Sequence, residues 1–215
     1  MVFGRSRIAI ISAAVSLLIS ILIINAVIDG SIERLDAWGS AVAAKIVPDG
    51  AAPFFEMISG FGSTMGIGVI GILFLAVLWW KKRDYLGMAV FVFAVAIGNE
   101  VNKWIKEMAG RPRPVTAPST DLHSLSFPSG HAMVGLTVYM LIAYFLIKDS
   151  KVKSLKWLVG ILAGLLILLV GISRNVLGAH YPSDVWGGFF LGYVWTYLFI
   201  TLYEVVNKKL KRKPV

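Results

Sequence analysis

The 215-residue chain is 57% hydrophobic and only 15% charged, with a mean hydropathy of +0.76, against roughly 25% charged in an ordinary soluble domain. That balance excludes a soluble globular protein and marks a membrane protein. There is no cysteine, which removes disulfide frameworks, thiolate metal sites and cysteine nucleophiles; the net charge of +9 sits mainly in short loops between apolar runs, where it sets topology and calls for no nucleic-acid partner.

A helix needs about 17 to 25 apolar residues to cross a bilayer. Residues 8–28 form the first such run. Arg5 and Arg7 precede it in the manner of a signal peptide, but the run is longer than the roughly 7 to 15 residues of such a segment, so the span is expected to stay in the mature protein. After it, Ile32, Leu35, Trp38, Val42 and Ile46 recur at spacings of three and four. This is the pattern of an amphipathic helix lying on the membrane surface, there either to cap the bundle or to admit lipid.

The second span is read over 61–80. It contains Gly66, Gly68 and Gly71 in a GxGxxG arrangement, but no strand precedes them and the nucleotide-binding context is missing. Close helix packing is expected there, as for Gly160 with Gly164 and Gly188 with Gly192. Runs 85–99, 132–147 and 157–172 are slightly short and borrow their polar ends, and 185–203 completes the set. The expected fold is all-α, a six-transmembrane-helix bundle with a short amphipathic surface helix in the first outer loop, forming a single domain over 1–215.

Basic residues gather at Arg5 and Arg7, at 81–83, in 148–156 and in 208–213 up to Lys213. By the positive-inside rule these stretches are cytoplasmic. Both termini are then inside a cell membrane, and 29–64, 100–131 and 173–184 face outward.

Three outward segments carry chemistry. In KEMAGRPRP, Lys106 and Arg113 flank Arg111; Pro128-Ser129-Gly130-His131 opens the fourth span; SRNVLGAHYPSD holds Ser173, Arg174, His180 and Asp184. Lys106, Arg113 and Arg174 bring three cations and two guanidinium forks, suited to a tetrahedral oxyanion. Ser129 reads as an N-cap that leaves the amides of Gly130 and His131 free to donate, and a helix N-terminus with a glycine lets an anion approach the backbone.

Two of the three histidines, His131 and His180, lie in these segments, and the third is His123. If the sixth span starts near Pro182, a first-turn Asp184 reaches back to hold one nitrogen of His180 and strengthens the other as nucleophile or base. His131, beside the anion, is placed to deliver a proton to a leaving oxygen. A metal site of His131, His180 and Asp184 is the rival chemistry, opposed by the three cations. A carrier or binder of anionic lipids would need those cations but not the paired histidine and aspartate. Glu100, Asn102 and Lys103 read as snorkelling or internally paired residues.

The three segments resemble, position for position, the signature K-x6-R-P, P-S-G-H and S-R-x5-H-x3-D of the type-2 phosphatidic acid phosphatase superfamily, at 106–114, 128–131 and 173–184. The resemblance implies a lipid phosphatase that works through a phosphohistidine. It makes His180 the nucleophile, Asp184 its orienting group and His131 the general acid, with Lys106, Arg113, Ser129, Gly130 and Arg174 on the phosphoryl oxygens. It implies no metal or other cofactor, a membrane lipid with a phosphate or diphosphate headgroup as partner, and no obligate protein partner. Phosphatidylglycerophosphate is the expected substrate, with overlapping activity on undecaprenyl diphosphate and phosphatidic acid; an outward-facing site alternatively favours undecaprenyl diphosphate as the main one.

Overall fold

The computed structural model describes residues 6–48, 50–118 and 124–212; Arg5, His123 and Lys213 of the sequence reading lie outside them. Among the described residues the chain forms α-helices and no strand. They are α1 (Arg7–Ile28), α2 (Glu33–Ile46), α3 (Ala52–Gly62), α4 (Thr64–Val77, continued by a π turn over Leu78–Lys82), α5 (Tyr85–Ala109), α6 (Gly130–Ile147), α7 (Lys153–Val176) and α8 (Pro182–Arg212). Six of these segments, α1 and α4 to α8, are long and apolar enough to cross a membrane. An even number of spans brings the start of α1 and the end of α8 to the same end of the bundle.

Helix ends follow local chemistry. Asp84 caps α5 by accepting from the Gly87 amide at 2.8 Å, and α5 stops at Gly110, whose φ of +60° is the left-handed geometry of a helix C-terminus. Ser63 caps α4 through the Gly66 amide at 3.1 Å. That cap moves the second span: the expected start at 61 becomes Thr64, because the chain breaks at Ser63 and 52–62 forms the separate helix α3.

α6 is the central helix, with 56% of its span buried against 11% for α7. The apolar residues of α7, such as Trp157, Leu162 and Leu165, point outward as a lipid-facing surface. Toward the end of the bundle where α1 begins and α8 ends, Phe74, Phe91, Val138, Phe145 and Ile200 form the main core. Toward the other end, Ala132, Leu136, Val185 and Phe189 join α6 to α8.

The glycine expectations divide. A Cβ on Gly188 would lie 2.8 Å from the Ser129 carbonyl oxygen, and one on Gly192 would lie 2.6 Å from that of Met133, so α8 packs directly on the α6 backbone. Gly66 packs against the Gly60 carbonyl and Gly71 against the Phe91 ring. Gly160 and Gly164, by contrast, have nothing within 4 Å of a would-be Cβ, as does Gly68. The close-packing expectation is wrong at these three because their helix faces meet no other helix.

The amphipathic helix appears as α2. Leu35, Trp38 and Ile46 are exposed on it, whereas Asp36 is only 2% exposed. The apolar stripe therefore faces away from the bundle, and the helix is pinned by a carboxylate.

Candidate active site

The eight residues given site roles in the three segments gather at the end of the bundle opposite the start of α1 and the end of α8. Ser129 is the N-cap of α6 and accepts from the Ala132 amide at 3.4 Å. Its own amide donates to the Asp184 carbonyl at 3.0 Å, which ties the α6 mouth to the first turn of α8. Gly130 and His131 are the first two helical residues, so their amides have no intrahelical acceptor. His131 packs beside Gly62, where a Cβ would stand 2.8 Å from its ring. Arg174, His180, Arg113 and Lys106 are all near enough to act electrostatically on His131.

α8 begins at Pro182, and Asp184 accordingly reaches His180 from the first turn: Oδ2 lies 3.4 Å from Nδ1. On the other side of the ring, Nε2 is 3.2 Å from Arg113 Nη1. A guanidinium has only donors, so Nε2 is the acceptor and the ring proton sits on Nδ1, toward Asp184. Burial pushes the His180 pKa down to about 4; Asp184 opposes this, and the charges of Arg113 and Lys106 add to it. At neutral pH the imidazole is uncharged, with its lone pair on the nitrogen that faces the cations.

The cations are held by the loops they brace. Lys106 Nζ donates to the carbonyls of Leu125 and Ser126, the latter at 3.1 Å. Arg113 donates to the Ser124 carbonyl at 2.9 Å, its hydroxyl at 2.7 Å and the Ala179 carbonyl at 2.9 Å. Arg174, buried at the end of α7, donates to Ser59 on α3 at 2.7 Å. Among the described residues no group of three or more His, Asp or Glu side chains is gathered as metal ligands would be.

Several participants escape the sequence reading. Ser126, two residues ahead of the Pro128–His131 motif, donates to Asp184 Oδ2 and lies 3.4 Å from His180 Nδ1. Arg111, noted only as lying between Lys106 and Arg113, donates to Asp184 Oδ1 at 2.9 Å and also to Asp36. Asn102 is internally paired as expected, donating to the Pro128 carbonyl at 3.3 Å and so supporting the turn before Ser129. Lys103 pairs with Glu100 at 2.8 Å on the surface. Asp36 and Ser59 carried no signal, since each meets the site only through packing between helices. A cavity of about 1090 Å³ opens between the end of α1, α2, the Arg111 loop and the α7–α8 turn, and it reaches His180, Arg111 and Asp36.

This geometry can be set beside known proteins. Residues 85–208 match the PAP2 superfamily. The chain belongs to that superfamily. It is 34% identical over 200 residues to phosphatidylglycerophosphatase B of Bacillus subtilis, covering 92% of this chain and 96% of that one. It is 32% identical over 122 residues to undecaprenyl-diphosphatase of Sulfolobus acidocaldarius, covering 54% of each. The crystal structure of a transmembrane PAP2-type phosphatidylglycerolphosphate phosphatase from Bacillus subtilis superposes with a TM-score of 0.82 at 29% identity, over 94% of this chain and 99% of that one. The PAP2 match takes in all three motifs, and the superposition, over 94% of this chain, extends the likeness beyond the matched residues. As a PAP2 member this multi-pass membrane protein is a lipid phosphatase, a phosphoric monoester hydrolase.

Proposed function

We propose that the chain, acting as one unit, hydrolyses the terminal phosphomonoester of phosphatidylglycerophosphate to phosphatidylglycerol and phosphate, with overlapping activity on undecaprenyl diphosphate and phosphatidic acid. The observation that carries the reading is the placement of His180, with Nδ1 3.4 Å from Asp184 and Nε2 turned to Arg113 at 3.2 Å in the cation cluster. The substrate preference follows the more extensive of the two relatives, and the shorter match to an undecaprenyl-diphosphatase keeps the diphosphate as the alternative main substrate.

In the proposed reaction the phosphoryl oxygens take up the donors of Lys106, Arg113 and Arg174, the Ser129 hydroxyl and the free amides of Gly130 and His131. Nε2 of His180 forms a bond to phosphorus as the bond to the ester oxygen breaks, and His131 gives its proton to that oxygen. Asp184 holds the Nδ1 proton and stabilises the positive charge that develops on the ring. Water then attacks the phosphohistidine, His131 recovers a proton from it, the N–P bond breaks and phosphate leaves. The preorganised cations stabilise the charge spread over the equatorial oxygens in both steps. They would also repel a divalent metal from the same place, which supports a metal-independent mechanism.

The basic stretches at 81–83, 148–156 and 208–212 share the end of the bundle where α1 begins and α8 ends. This supports cytoplasmic termini and an active site at the outer face of a cell membrane.

The test is phosphate release by the purified protein in detergent from phosphatidylglycerophosphate, undecaprenyl diphosphate and phosphatidic acid, each with excess chelator and with His180→Ala alongside. Chelator-resistant release that disappears in the variant is expected, fastest on phosphatidylglycerophosphate. Release abolished by chelator would restore the metal mechanism. Lipid binding without release in either protein would leave the chain a carrier of anionic lipids.

A further inference from the structure

The carboxylate next to His180 is held by residues at none of the fixed positions of the three motifs. Asp184 offers its two oxygens to different partners: Oδ2 faces His180, Ser126 and the Tyr181 amide, the last at 2.9 Å, while Oδ1 takes Nη1 of Arg111 at 2.9 Å. Arg111 therefore fixes the rotation of the carboxylate, and that rotation decides whether Oδ2 points at Nδ1. Arg111 is held in turn by its other terminal nitrogen on Asp36, and its plane lies over the Tyr181 ring at 4.0 Å. Asp36 also accepts from the Ser183 amide at 2.8 Å and the Ser183 hydroxyl at 2.7 Å.

The link runs carboxylate, guanidinium, carboxylate, and all three groups are largely shielded: the side chains of Arg111, Asp36 and Asp184 are 10%, 2% and 0% exposed. Charge balance gives Asp36 a second effect. With Asp36 present, the single positive charge of Arg111 is shared between two carboxylates, and Asp184 keeps negative charge with which to stabilise a cationic His180. With Asp36 neutral, Arg111 pairs with Asp184 alone and that stabilisation falls. Anchoring α2 to the bundle would not by itself require the same guanidinium to reach the catalytic carboxylate.

We propose that Asp36 is a positioning residue for the hydrolysis: from the surface helix α2 it sets Arg111, and through Arg111 the rotation and charge of Asp184. The assignment rests on His180 being the nucleophile and Asp184 its orienting carboxylate.

The test is steady-state hydrolysis of phosphatidylglycerophosphate in mixed micelles by the full-length protein and its Asp36→Asn, Arg111→Lys, Asp184→Asn, Asp36→Asn/Asp184→Asn and His180→Ala variants. Asp36→Asn is expected to lower kcat about 10- to 100-fold, the scale on which partners behind an active-site histidine act, with KM changed less than about threefold. In the Asp184→Asn background the same change should cost less than about twofold, because two residues acting through one group do not add. Arg111→Lys keeps the cation but cannot span both carboxylates, and should repeat the loss in kcat.

An unchanged kcat in Asp36→Asn or Arg111→Lys overturns the assignment, as does a loss in Asp36→Asn that recurs in full in the Asp184→Asn background. Should Asp36→Asn fail to fold, Arg111→Lys decides alone. Turnover surviving in His180→Ala sinks the reading of the site itself. The Asp36 assignment falls by itself when His180→Ala is inactive and Asp36→Asn is not.

Discussion

The hydroxyl of Ser126 donates to Oδ2 of Asp184 at 2.5 Å, although 58 residues separate the two in the chain. Ser126 thereby shares the carboxylate oxygen that faces His180. Replacing it with alanine removes one donor from a buried carboxylate, a change of about 1 to 1.5 kcal/mol. Ser126→Ala should lower kcat about 5- to 10-fold at unchanged KM, and wild-type kcat in that variant would remove Ser126 from the site.

The acid side of the pH profile follows from His180. Its pKa falls from an ordinary 6.5 to about 4, first because of burial. The neutral form, which attacks in the proposed mechanism, therefore persists down to about 4, and the acid limb of kcat/KM, corrected for ionisation of the substrate, should lie there. For stability the sign is that of a depressed pKa. The unfolded chain binds the extra proton, so the contribution of His180 is complete above 6.5 and is lost as pH falls through 4. A limb near 6.5 would show that the imidazole is not held in this environment.

Arg174 reaches the site from α7 with Ser59 as one anchor at 2.7 Å. Ser59→Ala loosens a buried guanidinium without removing its charge. The expected result is a KM raised about 3- to 10-fold, corresponding to one hydrogen bond. Isothermal binding of vanadate or inorganic phosphate would check it; unchanged affinity would place Arg174 away from the anion.

Two glycine substitutions should behave oppositely. Gly192→Ala puts a methyl group 2.6 Å from the Met133 carbonyl oxygen and pushes α8 off α6, where overpacking costs about 1 to 3 kcal/mol. Gly164→Ala meets nothing within 4 Å and should be neutral or stabilising by up to about 1 kcal/mol. Thermal unfolding in detergent separates them, and equal midpoints would contradict the packing.

At the end of the bundle where α1 begins and α8 ends, Asp84 caps α5, accepts from Tyr203 at 2.6 Å and lies 3.2 Å from Lys148. Burial disfavours its charge, but the hydrogen bonds from Tyr203 and Gly87 and the ammonium of Lys148 outweigh that and lower its pKa. Asp84→Ala should destabilise by about 2 to 3 kcal/mol and leave kcat unchanged. A loss of kcat would mean that the two ends of the bundle are coupled.

Much of this protein was already determined by the order of its residues. Six apolar runs dictate six spans, because a backbone in lipid must satisfy its own hydrogen bonds. The three motifs could be placed at span ends, since caps such as Ser129 and a start at Pro182 are local features of the chain. The pairing of His180 with Asp184 was legible for the same reason: a helix that starts at Pro182 puts Asp184 in its first turn, within reach of the histidine just ahead of it. Tertiary structure decided the rest. Asp36 meets Arg111, Ser126 meets Asp184 and Ser59 meets Arg174 only because distant helices converge, and no spacing in the sequence encodes such contacts. It also decided that α3 is separate from the second span and that Gly160 and Gly164 lie on an unpacked face, since hydropathy measures how apolar a surface is and not whether lipid or another helix covers it.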